Sequence, residues 1–175
     1  MFHNIPIGEN APDVVNAVIE IPGGSHNKYE YDEKLGALVL DRVLYSPFHY
    51  PADYGFIPET RSSDGDHLDT LVLGGYPLFP GCVVRVRPLG LFKMVDDGEE
   101  DFKILSAQVD NPRFDTVKTL EDVKAMNPHL LKEVAHFFEE YKRLESKKVK
   151  VLGWEGREAA LAEIRKAHQA YQKGK

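Results

Sequence analysis

Short runs rich in β-branched and aromatic residues, broken by Pro, Gly, Ser and Asn, fill most of the chain, and helical spacing of apolar residues enters only near the end. That order predicts an α+β chain in which sheet dominates. Runs at 14–21, 28–31, 38–45 and 71–73 read as strands. The stretch 83–95 alternates Val84 and Val86 with Arg85 and Arg87, and Pro88 and Gly90 inside it mark a bulge or bend. Asp97-Gly98 then turns the chain into an apolar run at 102–105, so a hairpin with an acidic tip is expected.

Asn127-Pro128 reads as an N-cap followed by proline at the first helical position. Leu130, Leu131, Val134, Phe137, Phe138, Tyr141 and Leu144 then predict a helix reaching about Glu145. A strand at 149–154 and a terminal helix at 158–171, packing through Leu161, Ile164 and Tyr171, complete the reading. Many short strands with turn signals favour a small closed or partly open barrel with the two helices laid against it. At 175 residues and 42% hydrophobic content the chain can close one core, so residues 1–175 are expected to form a single domain.

Acidic residues outnumber basic ones 28 to 22, and a formal net charge of -6 argues against a general nucleic-acid binder. The single cysteine, Cys82, excludes an internal disulfide and a cysteine-based zinc site, which suits a reducing compartment. The beginning of the sequence, Met1-Phe2-His3-Asn4-Ile5-Pro6, has neither a basic segment nor an apolar one, and no long apolar run follows. A soluble, cytoplasmic protein without a membrane partner is expected.

Chemistry enters at Asp64-Gly65-Asp66-His67-Leu68-Asp69, where three carboxylates are confined to one loop. Like charges held this close repel unless a proton or a cation sits among them, and Mg²⁺ prefers such oxygen ligands. The spacing does not match an EF-hand, and an isolated Asp-Gly-Asp is more often a solvated turn. A second acidic group, Asp96 to Asp101, shifts that balance. Alternation would place Asp101 and Lys103 on one face, a carboxylate beside an ammonium. Lys28, Arg42 and Lys142 are dispersed cations, each alone an ordinary surface charge, and Tyr50 and Tyr54 lie in an aromatic loop. Glu20 and Glu30 sit in strands, where glutamate is depleted, so each calls for a partner. The seven histidines show no ligand-like pair; His136, on the helix, could face another subunit.

Taken in order, Glu20, the run from Gly24 to Glu30, Asp41-Arg42, the run from Tyr50 to Gly55, Asp64-Gly65-Asp66-x-x-Asp69, Asp96 with Asp101 and Lys103, and His136-Phe137-Phe138-x-x-Tyr141-Lys142 resemble the family I soluble inorganic pyrophosphatases. Each motif alone is weak, but their succession from Glu20 to Lys142 is specific. The resemblance implies a compact five-stranded OB-type barrel with two flanking helices, several Mg²⁺ ions per site with Mn²⁺ or another divalent ion as substitutes, and a homohexamer. It also implies that Asp64, Asp69 and Asp101 ligate a first metal, that Asp69 is shared with a second, and that Asp96 and Asp101 hold metal arriving with pyrophosphate. Glu20 and Glu30 would reach metal through water. By the same resemblance Asp66 matches the general base, Lys28, Arg42, Tyr54, Lys103, Tyr141 and Lys142 match phosphate contacts, and Tyr50 belongs to the surrounding shell. One departure stands out: the family usually carries proline where this chain has His67.

These roles make physical sense. Pyrophosphate is a compact polyanion, and an acidic pocket accepts it only when divalent ions neutralise both sides. Metals ~3.5 to 4 Å apart can share a water and present it, partly deprotonated, in line with the bond to be broken, with no covalent phosphoenzyme. A competing reading is an OB-type module that binds nucleic acid or protein without catalysis, which requires a basic groove lined by stacking aromatics. The two aspartate groups oppose it.

Overall fold

The computed structural model describes residues 4–145 and 147–174. Met1, Phe2 and His3, read above with the rest of the amino terminus, lie outside the described residues. In chain order the strands are β1 (Val15–Ile21), β2 (Asn27–Asp32), β3 (Ala37–Val43), β4 (Asp53–Ile57), β5 (Leu68–Leu73), β6 (Val83–Asp96), β7 (Glu99–Glu100), β8 (Lys103–Gln108) and β9 (Val149–Gly156). The helices are α1 (Leu120–Met126), α2 (Leu130–Glu140) and α3 (Arg157–Lys173), with a 3-10 turn at Arg143–Glu145.

β1 pairs with β4, β4 with β5, β5 with β8 in parallel, and β8 with β6, whose first half returns to β1. Five strands therefore close a ring, the arrangement expected of an OB-type fold. Both faces of the strands are buried. Leu71, Phe92 and Leu105 join a core with Val134, Phe137 and Phe138 of α2, whereas Val72, Leu91 and Ile104 join Ala160, Ile164 and Ala167 of α3. Neighbouring residues thus serve opposite cores, which is why these strands read as continuous apolar runs and not as alternating ones. β2 and β3 form a separate two-stranded hairpin.

The long strand β6 bends where expected, with a register shift between Pro88 and Gly90 against β8. It turns at Asp97 and Gly98, with φ of 48° and 95°, into the short β7. Both residues occupy the left-handed region that the tight hairpin turns require.

Three α-helices replace the expected two. The additional one, α1, is capped at Thr119, whose side chain accepts from the Asp122 amide while the Asp122 carboxylate returns a bond to the Thr119 amide. Thr-x-x-Asp is a capping-box signal present in the sequence, but the helix it starts is too short to show periodicity. Asn127 is not the N-cap of the long helix: it closes α1, and its Oδ1 accepts from the His129 amide at 3.1 Å. α2 accordingly starts at Leu130 and gives way to the 3-10 turn before Glu145, leaving Leu144 exposed. β4 was expected to be an aromatic loop. Gly55 explains the strand, because a Cβ there would fall 1.9 Å from the Val18 carbonyl oxygen, so only glycine lets β1 and β4 approach.

Candidate active site

Strand register sets the centre of the site. Asp69 on β5 stands opposite Lys103 on the parallel β8, and the Lys103 ammonium donates to Asp69 Oδ2 at 2.7 Å. Two residues back along the chain, Asp101 accepts from the same ammonium at 2.6 Å. The Tyr54 hydroxyl of β4 accepts from Lys103 at 3.0 Å and donates to Asp69. Lys103 is only 2% exposed and also lies over the rings of Tyr54 and Phe138. Burial alone would lower its pKa, but the two carboxylates outweigh that and hold it above the ordinary lysine value.

The aspartate loop is folded back on itself. Asp64 Oδ1 accepts from the Asp66 amide at 2.9 Å, Gly65 takes φ of +92°, and Arg61 donates to the Gly65 carbonyl. At its base the Thr60 hydroxyl accepts from the Leu68 amide, and His67 Nδ1 donates to the Thr60 carbonyl at 2.9 Å. The His67 ring stacks on Phe56 at 4.8 Å and 12° and tilts against Tyr171 of α3. Through these contacts His67 ties the aspartate loop to β4 and to α3. Burial, then the nearby Asp64 and Asp69, raises the pKa of Asp66 above the usual carboxylate value, the direction that suits a proton acceptor.

The second acidic group reaches the same place. Ser63 of the aspartate loop donates to the Glu100 carbonyl at 3.1 Å, tying loop to turn, and Asp96 at the end of β6 accepts from Lys142. Asp96 Oδ1 is buried without a partner among the described residues. Glu20, near the end of β1, accepts from the Tyr31 amide at 2.7 Å and thereby docks the β2–β3 hairpin. Burial pushes its pKa up to about 8 in spite of that bond. On the hairpin Lys28 pairs with Glu30 and with Asp41.

These side chains surround one cavity of about 550 Å³. Of the thirteen residues the sequence singled out for catalysis, substrate or metal, twelve line it: Glu20, Lys28, Glu30, Tyr54, Asp64, Asp66, Asp69, Asp96, Asp101, Lys103, Tyr141 and Lys142. Arg42 does not; it is turned toward Asp41 and Glu145. Tyr50 is buried behind the site against Tyr54 and Phe137. Asp32, Glu33, Lys34 and Arg61 also line the cavity and were not foreseen; the Arg61 position three residues before Asp64 was the only signal for any of them. Among the described lining residues nine are acidic and five are lysine or arginine, the reverse of a nucleic-acid groove.

Among the described residues no three acidic, histidine or cysteine side chains are placed to hold one ion together, because Asp69 and Asp101 face Lys103 and Asp96 faces Lys142. The donor set nevertheless suits hard divalent cations: all the candidate ligands are carboxylates, and the buried Asp96 Oδ1 has a vacant acceptor.

Known proteins give the same picture. The family model described as Inorganic pyrophosphatase matches residues 17–172. The inorganic pyrophosphatase of Geobacillus stearothermophilus is 53% identical over 147 residues, covering 84% of this chain and 87% of that one. That of Haloferax volcanii is 46% identical over 173 residues, covering 98% and 96%. The crystal structure of inorganic pyrophosphatase from Thermus thermophilus superposes with a TM-score of 0.93 at 48% identity, covering 98% of each chain. A family match across nearly the whole sequence, joined to a ring of strands that gathers the motif carboxylates and lysines into one cavity, places this chain in the inorganic pyrophosphatase family.

Proposed function

We propose that this chain hydrolyses inorganic pyrophosphate to two orthophosphates in the cavity around Asp69 and Lys103, with Mg²⁺ as its principal cofactor. The observation that carries this reading is the convergence of the Asp64 to Asp69 loop and the Asp96 to Asp101 turn on one cavity that also holds lysines. Asp64, Asp69 and Asp101 are the residues to hold a first divalent ion, Asp69 to share a second, and Asp96 and Asp101 to take metal entering with substrate; Glu20 and Glu30 act at one remove. Several Mg²⁺ ions per site are expected, and Mn²⁺ or another divalent ion can stand in for them. Bound there, the cations supply charge neutralisation for the polyanion and acidify the attacking water.

The protein's own groups then have distinct tasks. Asp66 accepts the proton of the attacking water, assistance worth roughly 10² to 10⁴ in rate. Lys28, Lys103 and Lys142 offer ammonium groups to phosphate oxygens, and Arg42 adds a guanidinium from the edge of the site. Burial drives the pKa of Tyr54 and of Tyr141 well above the ordinary phenol value, so both keep their protons and remain donors for the charge that develops on the departing phosphate. Direct attack on phosphorus needs no covalent intermediate on the protein.

The chain works as a single unit across residues 1–175, in the cytoplasm and assembled as a homohexamer; among the described residues no helix is long and apolar enough to cross a membrane. Phosphate release from pyrophosphate, with and without Mg²⁺ and beside an Asp69→Asn variant, tests the reading. Loss of turnover by orders of magnitude in EDTA and in the variant, with the far-ultraviolet circular dichroism unchanged, is the expected outcome. Undiminished turnover in either would refute it.

A further inference from the structure

Arg42 is held by two carboxylates from different parts of the chain. Its Nη1 donates to the adjacent Asp41, and its Nε donates to Glu145 Oε1 at 3.1 Å across 103 residues of sequence. Its third nitrogen, Nη2, is buried and has no hydrogen-bond partner among the described residues. A guanidinium is a rigid planar fork, so fixing Nε and Nη1 fixes the direction of the remaining N–H groups. Leaving such a donor buried and unpaired costs free energy.

Glu145 occupies a telling place. It closes the 3-10 turn after α2, where its amide donates to the Lys142 carbonyl at 2.9 Å, so the turn that presents Tyr141 and Lys142 also anchors the hairpin-borne Arg42. The Glu145 side chain is 9% exposed, which makes the bond to Arg42 a sheltered one. Asp41 alone cannot do this work, because it is shared with Lys28 at 3.2 Å and rides on the same hairpin as Arg42.

We infer that Glu145 is a positioning residue, which locks the Arg42 guanidinium against the turn after α2, beside the cavity-lining Tyr141 and Lys142, and so holds it at the edge of the site for substrate. The inference rests on the reading of Arg42 as a phosphate contact given above. Without Glu145 the guanidinium can rotate about its remaining bond to Asp41 and is no longer tied to the turn after α2. The loss falls on substrate capture more than on the chemical step, which Asp66, Lys103 and the cations serve.

Steady-state kinetics with pyrophosphate at saturating Mg²⁺, over a cycle of Arg42→Ala, Glu145→Ala and the double variant, tests this. Glu145→Ala is expected to raise KM about tenfold while kcat changes less than about threefold, and the double variant to be no worse than Arg42→Ala alone. Glu145→Gln, which keeps an acceptor for Nε, recovers most of the loss. Should Glu145→Ala fail to fold, Glu145→Asp, one methylene too short to reach Nε, runs the same cycle with the same expectation. A wild-type KM in the Glu145 variant, or additive losses in the double variant, overturns the positioning role while leaving Arg42 as a contact. A wild-type KM in Arg42→Ala overturns both.

Discussion

Asp69 and Lys103 face each other across the parallel β5–β8 register, and their side chains meet at 2.7 Å with the lysine almost wholly out of water. A buried ammonium of this kind occupies a place where cations of higher charge would be equally welcome. It is therefore both a structural counter-ion and a competitor for the carboxylates that would bind metal.

Removing it separates the two roles. Lys103→Met leaves Asp69 and Asp101 without their shared partner, and breaking a buried ion pair costs about 3 to 5 kcal/mol. Urea unfolding in EDTA is expected to show that loss, and millimolar Mg²⁺ to recover part of it, while turnover stays low if Lys103 is the phosphate contact proposed above. By contrast Arg85→Ala, which breaks an ion pair with Asp110 whose partners are 54% and 72% exposed, should shift stability by less than about 0.5 kcal/mol. Equal effects of the two substitutions would contradict the picture.

Glu20 predicts a pH dependence. Its pKa rises from 4.5 to about 8 on folding, so the folded state holds a proton that the unfolded chain releases. The stabilising contribution is complete below 4.5 and is lost as pH climbs through about 8. Every tenfold difference in proton affinity between the folded and unfolded chain is worth about 1.4 kcal/mol, so the metal-free protein should weaken by several kcal/mol across that window. Glu20→Gln should flatten the profile measured by urea unfolding in EDTA. An unchanged slope in the variant would show that the group ionises freely.

His67 holds the aspartate loop by stacking on Phe56 and bonding to the Thr60 carbonyl. His67→Ala should therefore cost about 1 to 2 kcal/mol of stability and raise the Mg²⁺ concentration needed for half-maximal activity. Thermal melting together with an Mg²⁺ titration of turnover checks both, and a variant identical to the parent in both would exclude a structural part for the ring.

Gly55→Ala forces a methyl group against the Val18 backbone, 1.9 Å from its oxygen and 2.8 Å from its carbonyl carbon. Neither atom belongs to a flexible side chain, so β1 and β4 must separate. Destabilisation of about 3 kcal/mol or more, or failure to obtain soluble protein, is expected. A melting temperature within a degree or two of the parent would show that the strands yield easily.

Most of the site was legible because its chemistry is written in local clusters. Asp64, Asp66 and Asp69 lie within one loop, and Asp101 with Lys103 obeys simple alternation, so their convergence was expected and their contact follows from register. Arg42 was read as another phosphate contact, yet its orientation depends on Glu145, far away in sequence and carrying no mark of the association. The ring of strands was readable from apolar runs and turn residues. Its missed member, β4, was disguised by Tyr54, Gly55 and Phe56 lying close to Pro51 and Pro58, where aromatic packing and strand pairing look alike from composition. α1 escaped because seven residues cannot establish a period, although its cap was in plain view.

Each of the five ring strands has a hydrogen-bonded neighbour on both sides, and β6 is flanked along its far half by β8 and β9. Such a circuit offers incoming polypeptide no row of vacant amides to extend. Amyloid-like recruitment through the five ring strands is thereby hindered, and the open edges among the described strands are left to β9, the short β7 and the β2–β3 hairpin.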